Sequence, residues 1–241
     1  MPEPFTHKTM NARLLSDQIL EFHEQLKPAF RLPRGVELLH PYCQDSVRSL
    51  VRLFYQTYYA DHEPRVWMLG INPGRHGAGV TGIPFTDTHR LEQHCGLRHG
   101  LGPGRELSSE FIYRVVEAAG GAGRFYGRVY ISSVCPLGFT KGGKNLNYYD
   151  DPLLLRRLEP FIRSSLEKEW TLLGRPGRCL CLGEGKNYRY LSELNRETGW
   201  FEQIQPLAHP RWIMQYARNR ADSYVGLYLR HLEGQTGWIS G

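Results

Sequence analysis

Residues 70–85 read G-I-N-P-G-R-H-G-A-G-V-T-G-I-P-F. They overlap the end of an apolar run, Val66–Ile71, that has the pattern of a buried strand. Five glycines and two prolines fall in these sixteen residues. Glycine has no Cβ and proline holds its turns, so backbone here is able to approach a ligand closely. One amide side chain, Asn72, stands at the carboxyl end of the strand. Ligands of open α/β sheets sit outside the carboxyl ends of strands, so chemistry is expected here.

Working outward, Leu14–Leu26 has helical periodicity and is stopped by Pro28. Ser46–Tyr58 is a second amphipathic helix, through Val47, Leu50, Val51 and Phe54. Ser108–Ala118 reads as a helix, and 127–134 as a second buried strand, again followed by proline and glycine. Pro152–Trp170 is a longer helix, with Asp151 as its cap and proline near its start. Arg178–Leu182 is a third strand, Asn187–Thr198 a helix and Ile204–Ala208 a fourth strand. The last helix is expected from about Met214 to Leu232, with a frayed tail from Gly234. This alternation predicts an α/β fold: three layers, α/β/α, around a central, mostly parallel four-stranded sheet with right-handed crossovers. No repeat or linker interrupts residues 1–241, so one domain is expected.

A net charge of +6 with ten histidines favours a polyanionic partner such as nucleic acid. Hydrophobic residues make up 41% of the chain, enough for a core. Met1–Met10 has no apolar stretch and no cleavage pattern, and no run approaches the ~20 apolar residues of a membrane span. The five cysteines are odd in number and not spaced as a disulfide framework, which suits a reducing cytoplasm. Cys179 and Cys181 alternate along an apolar run and read as small core residues on one strand face.

Several motifs fail their tests. Gly77-x-Gly79-x-x-Gly82 matches a dinucleotide fingerprint literally, but Pro73 and four other residues separate it from the strand, and Pro84 stands where a helix should gather length. No Gly-Lys-Ser/Thr is present, so a Walker loop is excluded. His89, His94, Cys95 and His99 fit no standard zinc spacing and read as solvated side chains facing a polyanion. No metal and no cofactor is expected. The basic segment Lys141-Gly142-Gly143-Lys144-Asn145 reads as a flexible loop that contacts phosphate. After the fourth strand, His209-Pro210-Arg211-Trp212-Ile213-Met214 sets bulky apolar groups beside a cation. That suits a wedge pushed into a base stack; periodicity alone slightly favours the start of the last helix.

Three of these segments, taken in order, carry a resemblance. Gly70-Ile71-Asn72-Pro73-Gly74, with Gly77 and Thr81-Gly82-Ile83-Pro84-Phe85, then Cys135-Pro136-Leu137 with Lys144-Asn145-Leu146, and finally His209-Pro210, resemble the single-strand-selective monofunctional uracil-DNA glycosylases of the wider uracil-DNA glycosylase superfamily. The likeness spans roughly residues 65 to 216. It implies removal of a damaged base from DNA by cutting its N-glycosidic bond, with the nucleotide flipped into a pocket. It implies that Asn72 positions water, that His209 hydrogen-bonds the departing base, and that Phe85 stacks on it. Ile71 and Gly74 would face the base through backbone amides. Pro210, Arg211, Trp212 and Ile213 would enter the DNA, with Lys141, Lys144 and Asn145 on its backbone. The enzyme is expected to act as a monomer in the cytoplasm.

Two departures from the family stand out. Ser133 occupies the position where relatives usually place an asparagine that reads uracil's edge. A hydroxyl is shorter and both donates and accepts, so broader specificity is expected, taking in xanthine and hypoxanthine. The residues after His209-Pro210 are more apolar than in the family. Asp87, two residues past Phe85, reads as a helix cap rather than a catalytic base. The rival readings are a catalytically silent nucleic-acid-binding protein of the same fold and a hydrolase of free nucleosides.

Overall fold

A computed structural model describes residues 13–236. The expectations for Met1–Met10 and for the tail beyond 236 lie outside the described residues. In chain order the elements are α1 (Leu15–Glu24), β1 (Val36–Leu39), α2 (Asp45–Tyr58), β2 (Val66–Gly70), α3 (Ala78–Thr81), α4 (Thr88–Cys95), α5 (Leu107–Ala118) and α6 (Ala122–Tyr126). There follow β3 (Val129–Ser133), β4 (Gly138–Lys141), β5 (Lys144–Leu146), α7 (Pro152–Leu172), β6 (Arg178–Leu182), α8 (Lys186–Thr198), β7 (Gln203–Leu207), α9 (Pro210–Tyr216) and α10 (Ala221–Thr236).

The central sheet has the order β3-β2-β6-β7, and all three pairings are parallel. The four strands are the four read from the sequence. β2 and β3 are buried along their whole length, which is why they read as unbroken apolar runs rather than alternating ones. Cys179 and Cys181 are buried on β6, as expected of small core residues. From β2 the chain steps to β3 on one side, then crosses back to β6 on the other. Right-handed crossovers in opposite directions put their helices on opposite faces. The chain therefore diverges at the carboxyl end of β2 and opens a crevice there.

A second sheet was not legible in the sequence. β1, β4 and β5 form an antiparallel three-stranded sheet. The segment read as a flexible basic loop is a tight hairpin: Lys141 and Lys144 pair across Gly142 and Gly143, whose φ values are 56° and 70°. Two left-handed residues in succession are what a two-residue turn between twisted strands requires, and glycine supplies them freely. The expected last helix is also two. α9 ends at Tyr216, a 3₁₀ turn spans Arg218–Arg220, and α10 runs on to Thr236, past the point where fraying was expected.

α7 packs Leu154, Leu158, Ile162 and Leu166 inward, and its stripe ends on Glu169, 1% exposed. The Tyr130 hydroxyl on β3 donates to Glu169 Oε1 at 2.6 Å. Burial pushes this carboxyl up to about 7, opposed by hydrogen bonds from Ser132 and Tyr130. The folded state thus keeps a proton that the unfolded chain releases near the ordinary value. This group's contribution is fully present below that value and is lost as pH rises through about 7. Glu169→Gln keeps the hydrogen-bonding shape without the charge. Its stability relative to wild type, measured by urea unfolding, is expected to improve between about pH 5 and about pH 8. A pH-independent difference would show that Glu169 does not titrate there.

Candidate active site

β2, β3 and β7 end along the same edge of the sheet, with β6 between β2 and β7, and their following residues line one cavity of about 370 Å³. From the β2 end come Ile71, Asn72, Pro73, Gly74 and Phe85; from the β3 end, Ser133; from the β7 end, His209 and Arg211. Asn145, Trp212 and Tyr216 also line it. Residues from as early as Ile71 and as late as Tyr216 are thus gathered at the crevice that the sheet topology opens.

Asn72 is held at both ends of its amide. Its Oδ1 accepts from the Tyr148 backbone N–H at 3.0 Å, and its Nδ2 donates to the Leu146 carbonyl at 3.3 Å. The Tyr148 hydroxyl in turn donates to Asn187 Oδ1 at 2.9 Å. Asn187, 1% exposed, donates from Nδ2 to the Gly70 and Leu182 carbonyls, both at 3.3 Å. One hydrogen-bonded chain therefore ties Asn72 to the ends of β2 and β6. The Nδ2 group also donates to the Pro73 carbonyl at 3.4 Å, so what the amide has left with which to orient a water is a lone pair on Oδ1.

Phe85 is 9% exposed and has φ of 51°. A bulky side chain in the left-handed region is a real outlier, costing of the order of 1–3 kcal/mol. The turn that enforces it is over-determined: Thr81 Oγ1 donates to the Thr86 carbonyl at 2.7 Å and accepts from Ile83 N–H at 3.1 Å. The ring lies against Gly70, where a Cβ would stand 2.7 Å from Cε2. Its centroid is 5.9 Å from that of the His209 imidazole.

His209 caps α9. Its Nδ1 accepts the Arg211 backbone N–H at 3.1 Å, so the neutral ring carries its proton on Nε2. Burial lowers the imidazole to about 4, with the Arg211 charge acting in the same direction. The ring is neutral throughout ordinary pH and serves as a hydrogen-bond donor rather than a cation.

Asp87 is the cap it was read to be. Oδ1 accepts Arg90 N–H at 2.8 Å at the start of α4. Oδ2 accepts Glu106 N–H at 2.8 Å and meets the Arg90 guanidinium at 3.2 Å. With both oxygens engaged and the residue 0% exposed, it faces no substrate. His94, Cys95 and His99 also have protein partners: Glu117, Tyr113 and the Thr88 carbonyl. Among the described residues no group of three His, Cys, Asp or Glu side chains is placed to hold a metal.

The expected DNA-contacting set divides. Lys144 and Arg211 line a neighbouring cleft of about 460 Å³ with Arg75, His76, Arg105, Glu106 and Asn145. Asn145 points its Oδ1 inward, to the Arg75 backbone N–H at 2.9 Å, and so braces the glycine loop. Lys141 stands outside this cleft, 3.6 Å from Asp151. Trp212 is 44% exposed and Tyr216 66%. Ile213 is 0% exposed, which corrects its expected place in a wedge: three residues on from Pro210 it falls on the inward stripe of α9, with Met214. Pro210 is buried too, as the first residue of that helix. Glu106 and Asn187 were not picked out from the sequence, where neither stands in a motif.

The fold and this pocket define an α/β DNA glycosylase. The family model for the uracil DNA glycosylase superfamily matches residues 56–233, and the chain belongs to that superfamily. It is a divergent member of the single-strand-selective monofunctional uracil-DNA glycosylase family, as its motifs implied. The crystal structure of wild-type SMUG2 from Pedobacter heparinus is similar at 38% identity and a TM-score of 0.89, over 93% of this chain and 99% of that one. No curated protein matches the chain. Among the described residues no helix is long and apolar enough to cross a membrane.

The Gly70–Phe85 contact supplies a test. Gly70→Ala drives a methyl group into a ring whose backbone cannot yield, so base excision is expected to fall at least about tenfold with the fold retained. Steady-state excision beside a circular dichroism melt measures this. Unchanged excision would show that the exact seat of Phe85 is immaterial.

Proposed function

We propose that this protein hydrolyses the N-glycosidic bond of uracil, and of other deaminated bases, in DNA, taking the flipped nucleotide into the pocket. The observation that carries this reading is the convergence of Asn72, Phe85, Ser133 and His209 on one cavity of base-accepting size. Flipping unstacks a base, and stacking on Phe85 offsets about 1–3 kcal/mol of that cost. Bond breaking sends electrons into the base. The Nε2–H of His209 is aimed at that developing charge and stabilises it more than the ground state, by a few kcal/mol. Asn72 orients the water that meets the sugar. Such a weak base suffices when the bond is largely broken before attack.

The adjacent cleft, with Arg75, Arg105, Lys144 and Arg211, provides for the phosphates beside the flipped nucleotide. The exposed rings of Trp212 and Tyr216 and the Arg211 side chain are the groups available to fill the vacated stack. A silent DNA-binding protein would have no reason to keep a strained Phe85 against a neutral imidazole donor. Monofunctional chemistry fits as well, since no lysine lines the base cavity.

The decisive assay treats uracil-containing oligonucleotide with the protein and then alkali. Strand scission is expected; an intact strand with a gel shift would leave only a binder. Asn72→Ala and His209→Ala are each expected to slow excision by about 10²–10³ while DNA affinity persists. Wild-type rates in either variant would remove that residue from the mechanism.

Ser133 predicts a separate outcome. Its small hydroxyl on the cavity wall, 8% exposed, discriminates less than an amide would. Ser133→Asn is expected to favour uracil over xanthine and hypoxanthine relative to wild type. Equal relative rates across a lesion panel would discard the role.

A further inference from the structure

The base cavity and the cationic cleft share one acidic side chain. Glu106 lines both, and it is the sole carboxylate among the residues lining the base cavity. Its backbone is fastened by the Asp87 cap, and it immediately precedes α5. Its carboxyl oxygens lie against Gly74 and Gly77, where any Cβ would collide with them. The two glycines that follow Asn72 thus make room for this group. Among the described residues no side-chain hydrogen bond or ion pair engages it. Arg211 on α9 and Asp87 before α4 act on it electrostatically. Arg75 and His76 on the glycine loop, Arg105 beside it and Lys144 on β5 share its cleft, and His209 shares its cavity.

With the base in the cavity and its flanking phosphates in the cleft, the deoxyribose must bridge the two, and Glu106 stands at that junction. Asn72 cannot accept a proton, because an amide is scarcely basic. We propose that Glu106 is a catalytic carboxylate, facing the anomeric carbon, that stabilises the cationic sugar and takes the proton of the attacking water. This rests on the glycosylase reading above. As the C1′–N bond breaks, its electron pair leaves with the base, which His209 holds and solvent later protonates. The water oxygen, oriented by Asn72, bonds to C1′. Its proton passes to Glu106 and from there to solvent. Burial raises the carboxyl to about 7, with Arg211 pulling it down and Asp87 pushing it up, so the group titrates where a general base is most effective.

The test is single-turnover release of uracil from a single-stranded oligonucleotide by wild type, Glu106→Gln and Glu106→Asp, from about pH 5.5 to about pH 9. The wild-type rate is expected to rise with pH through about 7 and then level off. Glu106→Gln should be slower by about 100-fold or more, without that rise. It should still bind an oligonucleotide carrying a tetrahydrofuran abasic analogue as wild type does. Glu106→Asp should keep the rise and recover part of the rate. A wild-type profile flat across neutrality overturns the proposal even if the Gln variant fails to fold, as does a Gln variant at wild-type speed. A wild type that releases no base from any oligonucleotide defeats the glycosylase reading itself. An active wild type beside an equally active Gln variant removes only Glu106.

Discussion

Both ends of the Asn72 amide are tied to the strand segment at Leu146 and Tyr148, and the site is organised around that clamp. A loop of five glycines would otherwise leave the end of β2 free to wander. The clamp reaches across more than seventy residues of chain and makes the small antiparallel sheet part of the active site. It also explains the tight Gly142-Gly143 turn. The hairpin must present Leu146 in register with β4 for its carbonyl to meet the amide. Asn187 and Tyr148 carry the same restraint inward to the central sheet. Asn72 is thereby fixed before any substrate arrives, which is the condition for orienting a water without paying for reorganisation.

The electrostatics follow from the same crowding. Two groups around the cavity, His209 and Glu106, have their protons set by burial rather than by solution chemistry. The His209 ring is kept neutral and has one donor direction, because the N–H of its own helix occupies Nδ1. The Glu106 carboxyl is pushed toward neutrality from below. Asp87, more deeply buried, is consumed by capping and by holding the start of α5. Two carboxylates nineteen residues apart thus have different fates. The one with two N–H donors is structural, and the one with none faces the substrate.

Much of this arrangement was legible in the sequence. The four parallel strands are short apolar runs ended by glycine or proline, a signal that survives without any homologue. Asn72, Ser133 and His209 stand at or just past strand ends, where open sheets gather their ligands. What escaped reading is what depends on distant pairing. β1, β4 and β5 are three or four residues long and lack a strong alternating pattern, so their strand character comes from one another. Glu106 lies in a polar loop, and nothing local distinguishes it from its neighbours. Ile213 was misjudged because a run of bulky residues looks uniformly exposed until helical phase sorts it. In α9 that phase sends Ile213 and Met214 inward and leaves Trp212 and Tyr216 outside.

The left-handed backbone at Phe85 has a consequence for how such proteins diverge. Glycine or asparagine there would relax the turn and make the molecule more robust, at the expense of the aromatic platform. Random drift therefore pushes steadily against the ring, and only continued use in repair opposes it. In a duplicated copy freed from that duty, position 85 is among the first expected to change.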